Sequence, residues 1–95
     1  MLDQHKFTDL TSQESAIVNS VLSRKRNLCN KHGELWVAYD RCGRFTLCIL
    51  SPRKSLNGPI YWGACRIDSR DVDDPQRGRE IALAKAARML AKDLF

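Results

Sequence analysis

Ninety-five residues make one domain, large enough to fold alone but too short for a second domain flanking an elaborate catalytic cleft. Hydrophobic residues at 43% and charged residues at 28% are ordinary globular values and argue against a disordered chain. Sixteen Lys and Arg against eleven Asp and Glu leave a net charge of +5, which favours anionic partners.

The charge is unevenly spread. Between Arg24 and Arg66 stand nine basic residues and only two acids, Glu34 and Asp40, while Asp68, Asp71, Asp73 and Asp74 gather just beyond. The start, Met1 to Lys6, lacks the apolar run of a signal peptide, and no segment reaches the roughly 20 apolar residues of a membrane-crossing helix. A cytoplasmic protein with reduced thiols is therefore expected.

In chain order, residues 1–10 are polar and unpatterned and read as a flexible arm, with residues 11–95 forming a single α+β domain. Thr11-Ser12-Gln13-Glu14 has the spacing of a capping box, in which the Thr hydroxyl and the Glu carboxylate satisfy free backbone donors at a helix start. Ile17, Val18, Val21 and Leu22 then form one apolar stripe. Arg24-Lys25-Arg26 suits the negative end of the helix dipole, and Gly33 supplies a stop.

The middle reads as a three-stranded antiparallel meander. Residues 34–40 alternate, with Leu35, Val37 and Tyr39 on one face and Trp36, Ala38 and Asp40 on the other. A tight turn is predicted over residues 40–43. Residues 44–51 place Phe45, Leu47 and Ile49 opposite Arg44, Thr46 and Cys48. After a loop closing in Asn57-Gly58, residues 60–67 form the third strand, with either face able to point inward; Gly63 within it signals a bulge or a close approach. Asp74-Pro75 opens an Ala-rich second helix running to the C-terminus. Its core stripe is Leu83, Ala87, Leu90 and Leu94. Arg77, Ile81, Lys85, Arg88 and Lys92 fall nearly opposite. The order is thus α-β-β-β-α.

For catalysis the chain offers little. Cys29 and His32 form a C-x-x-H pair, but no C-x-x-C is present, and Cys48 and Cys65 sit in apolar strand-like runs as small hydrophobes. His5 and His32 are the only histidines, no family signature surrounds a cysteine, and the acidic run lacks calcium-loop spacing. No active site, metal or cofactor is expected. The candidate chemistry is a basic, aromatic surface built from Arg24, Lys25, Arg26, Trp36, Arg41, Arg44, Arg53, Lys54 and Arg66, joined by the helix stripe of Arg77, Lys85, Arg88 and Lys92. If the second helix covers one sheet face, the other is free to carry Arg44, Thr46, Trp36, Trp62 and Arg66. Arginines fork to guanine edges or phosphates, and aromatic rings stack. The competing assignment puts both tryptophans in the core.

Tyr61-Trp62-Gly63 followed by Glu80-Ile81-Ala82-Leu83-Ala84-Lys85-Ala86-Ala87 resembles the three-stranded-sheet DNA-binding domains of the AP2 and phage-integrase arm type. That resemblance implies reading of a major groove by the sheet, through Trp36, Arg41, Arg44 and Arg66; the Arg-rich first strand of that family is replaced here by Leu35-Trp36-Val37-Ala38. The order α-β-β-β-α, with Arg79 and Ala86-Ala87 in the second helix, is similar to a double-stranded-RNA-binding domain, although Glu80 and Leu83 stand where lysines are expected. Size and charge also resemble small prophage accessory proteins, including inhibitors of host defence. The expected function is a small nucleic-acid-binding or regulatory protein of phage or mobile-element type, with DNA ahead of RNA as partner. The alternative is a non-catalytic inhibitor or adaptor that binds a host protein, or a homodimer formed through an exposed edge strand or through Ile81 and Met89.

Overall fold

The computed structural model describes residues 7–23, 35–52, 59–66 and 74–93. Its elements are β1 (Thr8–Asp9), α1 (Ser12–Ser23), β2 (Trp36–Cys42), β3 (Phe45–Ser51), β4 (Tyr61–Arg66) and α2 (Pro75–Asp93). The fold is α+β, with an antiparallel sheet in the order β1-β2-β3-β4. The sheet has four strands rather than three. Thr8 and Asp9 pair with Val37 and Trp36, and Phe7 beside them is 2% exposed. These residues carry no periodic signal because β1 is two residues long, which is why the sequence reads them as part of an arm.

Both helix starts follow their capping chemistry. The Glu14 amide donates to Thr11 Oγ1 at 3.1 Å, and the Thr11 amide donates to Glu14 Oε1 at 2.9 Å, the reciprocal pair of a capping box. At α2 the Arg77 amide donates to Asp74 Oδ1 at 3.2 Å, and Pro75 occupies the first turn, where its missing N–H costs nothing.

The β2–β3 register runs unbroken from Trp36 opposite Ser51 to Cys42 opposite Phe45. The turn is therefore Gly43-Arg44, later than predicted, and Gly43 takes φ +59°, which a side chain rarely adopts. Asp40 to Cys42, read as turn, belong to the strand.

Alternation then sorts the sheet into two faces. Leu35, Val37, Cys48, Leu50, Tyr61 and Cys65 pack beneath α2 and α1, with Val18, Leu22, Leu83, Ala87 and Leu90 above them. Thr46 is on this face too, 3% exposed, so it does not reach the free face as expected; Phe45 and Leu47 stand there instead. The β4 ambiguity resolves with Tyr61, Gly63 and Cys65 inward and Trp62, Ala64 and Arg66 outward. Gly63 marks a close approach without a bulge, since its pairing with Cys48 interrupts nothing. The helix backbone of α2 lies directly over it.

α2 runs chiefly along β4, with its C-terminal end tied to the strand's start by the Tyr61 hydroxyl, which donates to Asp93 Oδ2 at 2.5 Å. That bond, and secondarily burial, push the Tyr61 phenol up from 10.0 to about 12. A raised phenol pKa means the folded state holds the proton more tightly. Its contribution is complete below pH 10 and is lost as pH rises through about 12. Alkaline unfolding followed by circular dichroism should therefore begin in that window, and Tyr61→Phe should flatten the pH dependence there. An unchanged profile would contradict the assignment.

Candidate nucleic-acid interface

Four rungs of side chains stand on the sheet face that carries no helix. By strand register they are Ser51 with Trp36; Trp62, Ile49 and Ala38; Ala64, Leu47 and Asp40; and Arg66, Phe45 and Cys42. The two halves of this face differ. On the β1–β2 side, Phe7, Ala38 and Ile49 form a second buried cluster, with Trp36 and Leu47 packed against it. On the β3–β4 side large apolar groups meet solvent: Trp62 is 51% exposed, Phe45 46% and Ile60 38%. Arg66, exposed, sits directly across from Phe45.

Two lysines of α2, Lys85 and Lys92, border this half along β4. The helix stripe predicted from periodicity is exposed throughout, at Arg77, Ile81, Lys85, Arg88 and Lys92. Lys85 joins it to the sheet by donating from Nζ to the Ala64 carbonyl at 2.9 Å. Because α2 runs antiparallel to β4, Arg66, Lys85 and Lys92 follow one another along that strand. Lys92 borders the hollow at its start beside Ile60 and Tyr61. Lys85 also guards the β4 edge, since a cation on a strand carbonyl discourages pairing with another strand.

Of the residues expected at the site, Trp36 and Arg66 share the free face, with Trp36 half-buried at its covered side. Arg41 is exposed but projects from the helix-bearing side, where its Nε donates to the Gly43 carbonyl at 2.8 Å. Arg44 lies in the turn, half-buried. Arg24, Lys25, Arg26, Arg53 and Lys54 fall outside the described residues, as do Cys29, His5 and His32. The arginines of the β2–β3 hairpin thus do not share one plane with Arg66. Sequence reasoning missed Phe45 and Ile60 as surface groups. Alternation groups Phe45 with Leu47 and Ile49 as one apolar stripe, and nothing in the strand's pattern says that only part of that stripe is covered.

A second concavity, about 440 Å³, opens between the starts of the two helices. There the Tyr39 hydroxyl donates to Glu14 Oε2 at 2.5 Å, and the Arg79 guanidinium lies 5.5 Å from the Tyr39 ring centre. Burial first, and then the bond to Glu14, push the Tyr39 phenol well above its usual range. Burial likewise raises the neighbouring Cys48 thiol, with the Glu14 charge adding to it. Both shifts favour the protonated forms of two groups that pack together in the core, Cys48 buried and Tyr39 against it. Gln13 and Gln76 both donate to Glu80 Oε1 at 3.3 Å, closing the concavity's polar wall on itself. Cys42 is exposed at the hairpin, whereas Cys48 and Cys65 are buried as the sequence implies.

No family model, no curated protein and no solved structure matches this chain.

Proposed function

We propose that the chain is a small nucleic-acid-binding protein that acts by binding rather than catalysis, through the free half of its sheet and the basic rim along β4. The observation that carries this reading is the juxtaposition of exposed aromatic rings, Trp62 and Phe45, with Arg66 and the Lys85–Lys92 side of α2. Cations at a rim displace counterions from phosphates and so supply affinity without reading sequence. Aromatic faces beside them add contacts that depend on exposed bases. The net charge of +5 favours encounter with a polyanion at low salt.

Binding to labelled oligonucleotides should fall steeply with salt, with log K declining by ~0.7 to 0.9 per phosphate neutralised for each decade of salt. The double reversal Arg66→Glu with Lys92→Glu should weaken binding about tenfold or more, uniformly across sequences. These residues are exposed, so the fold should survive the change. Absence of binding at about 50 mM salt, or indifference to the charge reversal, would overturn the reading.

The same exposed apolar group supports a second reading, a docking surface for a host protein, of the kind an anti-defence inhibitor or regulatory adaptor needs. Trp62, Phe45 and Ile60 are the anchors such an interface uses. A pull-down from nuclease-treated lysate separates the two: a protein captured by wild type and lost with Trp62→Ala supports the second reading. Capture that vanishes on nuclease treatment supports the first.

A further inference from the structure

We infer that the ligand of this surface is single-stranded nucleic acid, stacked through its bases on Trp62 and Phe45; this deepens the nucleic-acid reading and rests on it. The sheet offers two ring-bearing positions that project from the same face and meet solvent. A ring on a flat sheet interacts with the face of a base, and base faces are available only where the strand is unpaired. In a duplex they are occupied by their neighbours, and only the edges show in the grooves. The covered part of the face, where Phe7, Ala38 and Ile49 are buried, confines the ligand to β4 and the Phe45 end of β3.

The strip has a direction and a length. Phe45 is the register partner of Arg66, and Trp62 that of Ile49, so the rings are four residues apart along the strands and one strand apart across them. At ~3.3 Å per residue and ~4.8 Å between strands this is a diagonal of about 14 Å. At the stacked rise of ~3.4 Å per nucleotide a strand covers that distance in about four nucleotides, and in fewer when stretched. Arg66, opposite Phe45, is placed for the phosphate flanking the base stacked there. Lys85 lies on the rim one rung nearer Trp62, held at the Ala64 carbonyl. Charge therefore lines one long side of the aromatic strip, which is the arrangement a single strand requires, with its backbone on the basic rim and its bases turned over the sheet.

The test uses fluorescein-labelled dT2, dT6 and dT12, the matching rU12, and a 12-base-pair duplex, titrated against the full chain at about 50 mM salt. The expected result is tighter binding of dT12 and rU12 than of the duplex, and a large gain from dT2 to dT6 as both rings become engaged. The two sugars distinguish DNA from RNA as the source of the strand. Trp62→Ala should weaken dT12 binding by about tenfold or more and leave duplex binding within a factor of about two, whereas Trp62→Phe should retain most of it. Each variant's far-ultraviolet circular dichroism and melting curve should match wild type, since Trp62 is half exposed. Duplex bound as well as dT12, with Trp62→Ala neutral for both, would overturn the single-strand inference while leaving nucleic-acid binding intact. Failure of every oligonucleotide to bind would overturn both.

Discussion

Gly63→Ala is expected to destabilise the protein more than any other single-methyl change, by about 3 kcal/mol or more. A Cβ on Gly63 would lie 2.5 Å from the Ala86 amide nitrogen, and the carbonyl oxygen of Ala82 would be closer still. Both atoms belong to the backbone of α2, so no side-chain rotation relieves the clash. The helix as a whole must lift from β4, and with it the packing of Ala82, Leu83 and Ala86, all fully buried. For a domain of this size the loss corresponds to a fall in Tm on the order of 15 °C. Gly43→Ala is the control. Its Cβ meets nothing within 4 Å, and only the positive φ opposes it, for about 1 kcal/mol. Equal melting curves for the two variants would contradict the close approach of α2 to β4.

Glu14→Ala should cost about as much, ~2.5–4 kcal/mol, because one carboxylate serves two elements. It closes the capping box with Thr11 and also accepts the Tyr39 hydroxyl of β2, which pins the start of α1 over the sheet. Losing the cap accounts for about 1 kcal/mol. A half-buried hydroxyl deprived of a charged acceptor accounts for ~1.5–3 kcal/mol. Glu14→Gln should be milder, since glutamine also completes a capping box. Combined with Tyr39→Phe in a double-mutant cycle, it should show a coupling of about 1 kcal/mol. Urea denaturation of the four proteins measures this; strict additivity would mean that the two side chains do not act together.

The readability of the chain follows the length over which each signal repeats. The capping box at Thr11–Glu14, the Asp74-Pro75 helix start and the α2 stripe are written in local spacing, and the structure follows each of them, the stripe as far as Leu90, with Leu94 outside the described residues. The alternation of β2 correctly gives Leu35 and Val37 to the core. In β3 the pattern is apolar on both faces from Leu47 onward, because Cys48 and Leu50 lie under α2 while Ile49 lies beneath Phe7 and Trp36. A period of two has nothing to report when both faces are buried, and alternation therefore gives no reason to turn Thr46 inward. β1 is invisible for a different reason: two residues recruited by β2 through tertiary pairing leave no pattern. The site was half legible. Trp62 and Arg66 alternate outward in β4, but the exposure of Phe45 depends on which part of the free face other residues cover. That is a property of the assembled sheet and not of the strand. The expected convergence of Arg41 and Arg44 with Arg66 fails on geometry, since Arg41 takes the opposite face and Arg44 the turn.

Backbone and indole N–H resonances of 15N-labelled protein, followed while unlabelled dT12 is added at about 50 mM salt, test the central claim most directly. The account expects the Trp62 indole N–H and the amides of Phe45, Ala64 and Arg66 to shift together along one binding curve, with Lys85 among them. The amides around Glu14 and Tyr39 should stay in place. Shifts confined to the concavity between the helix starts, or no shifts at all, would contradict it.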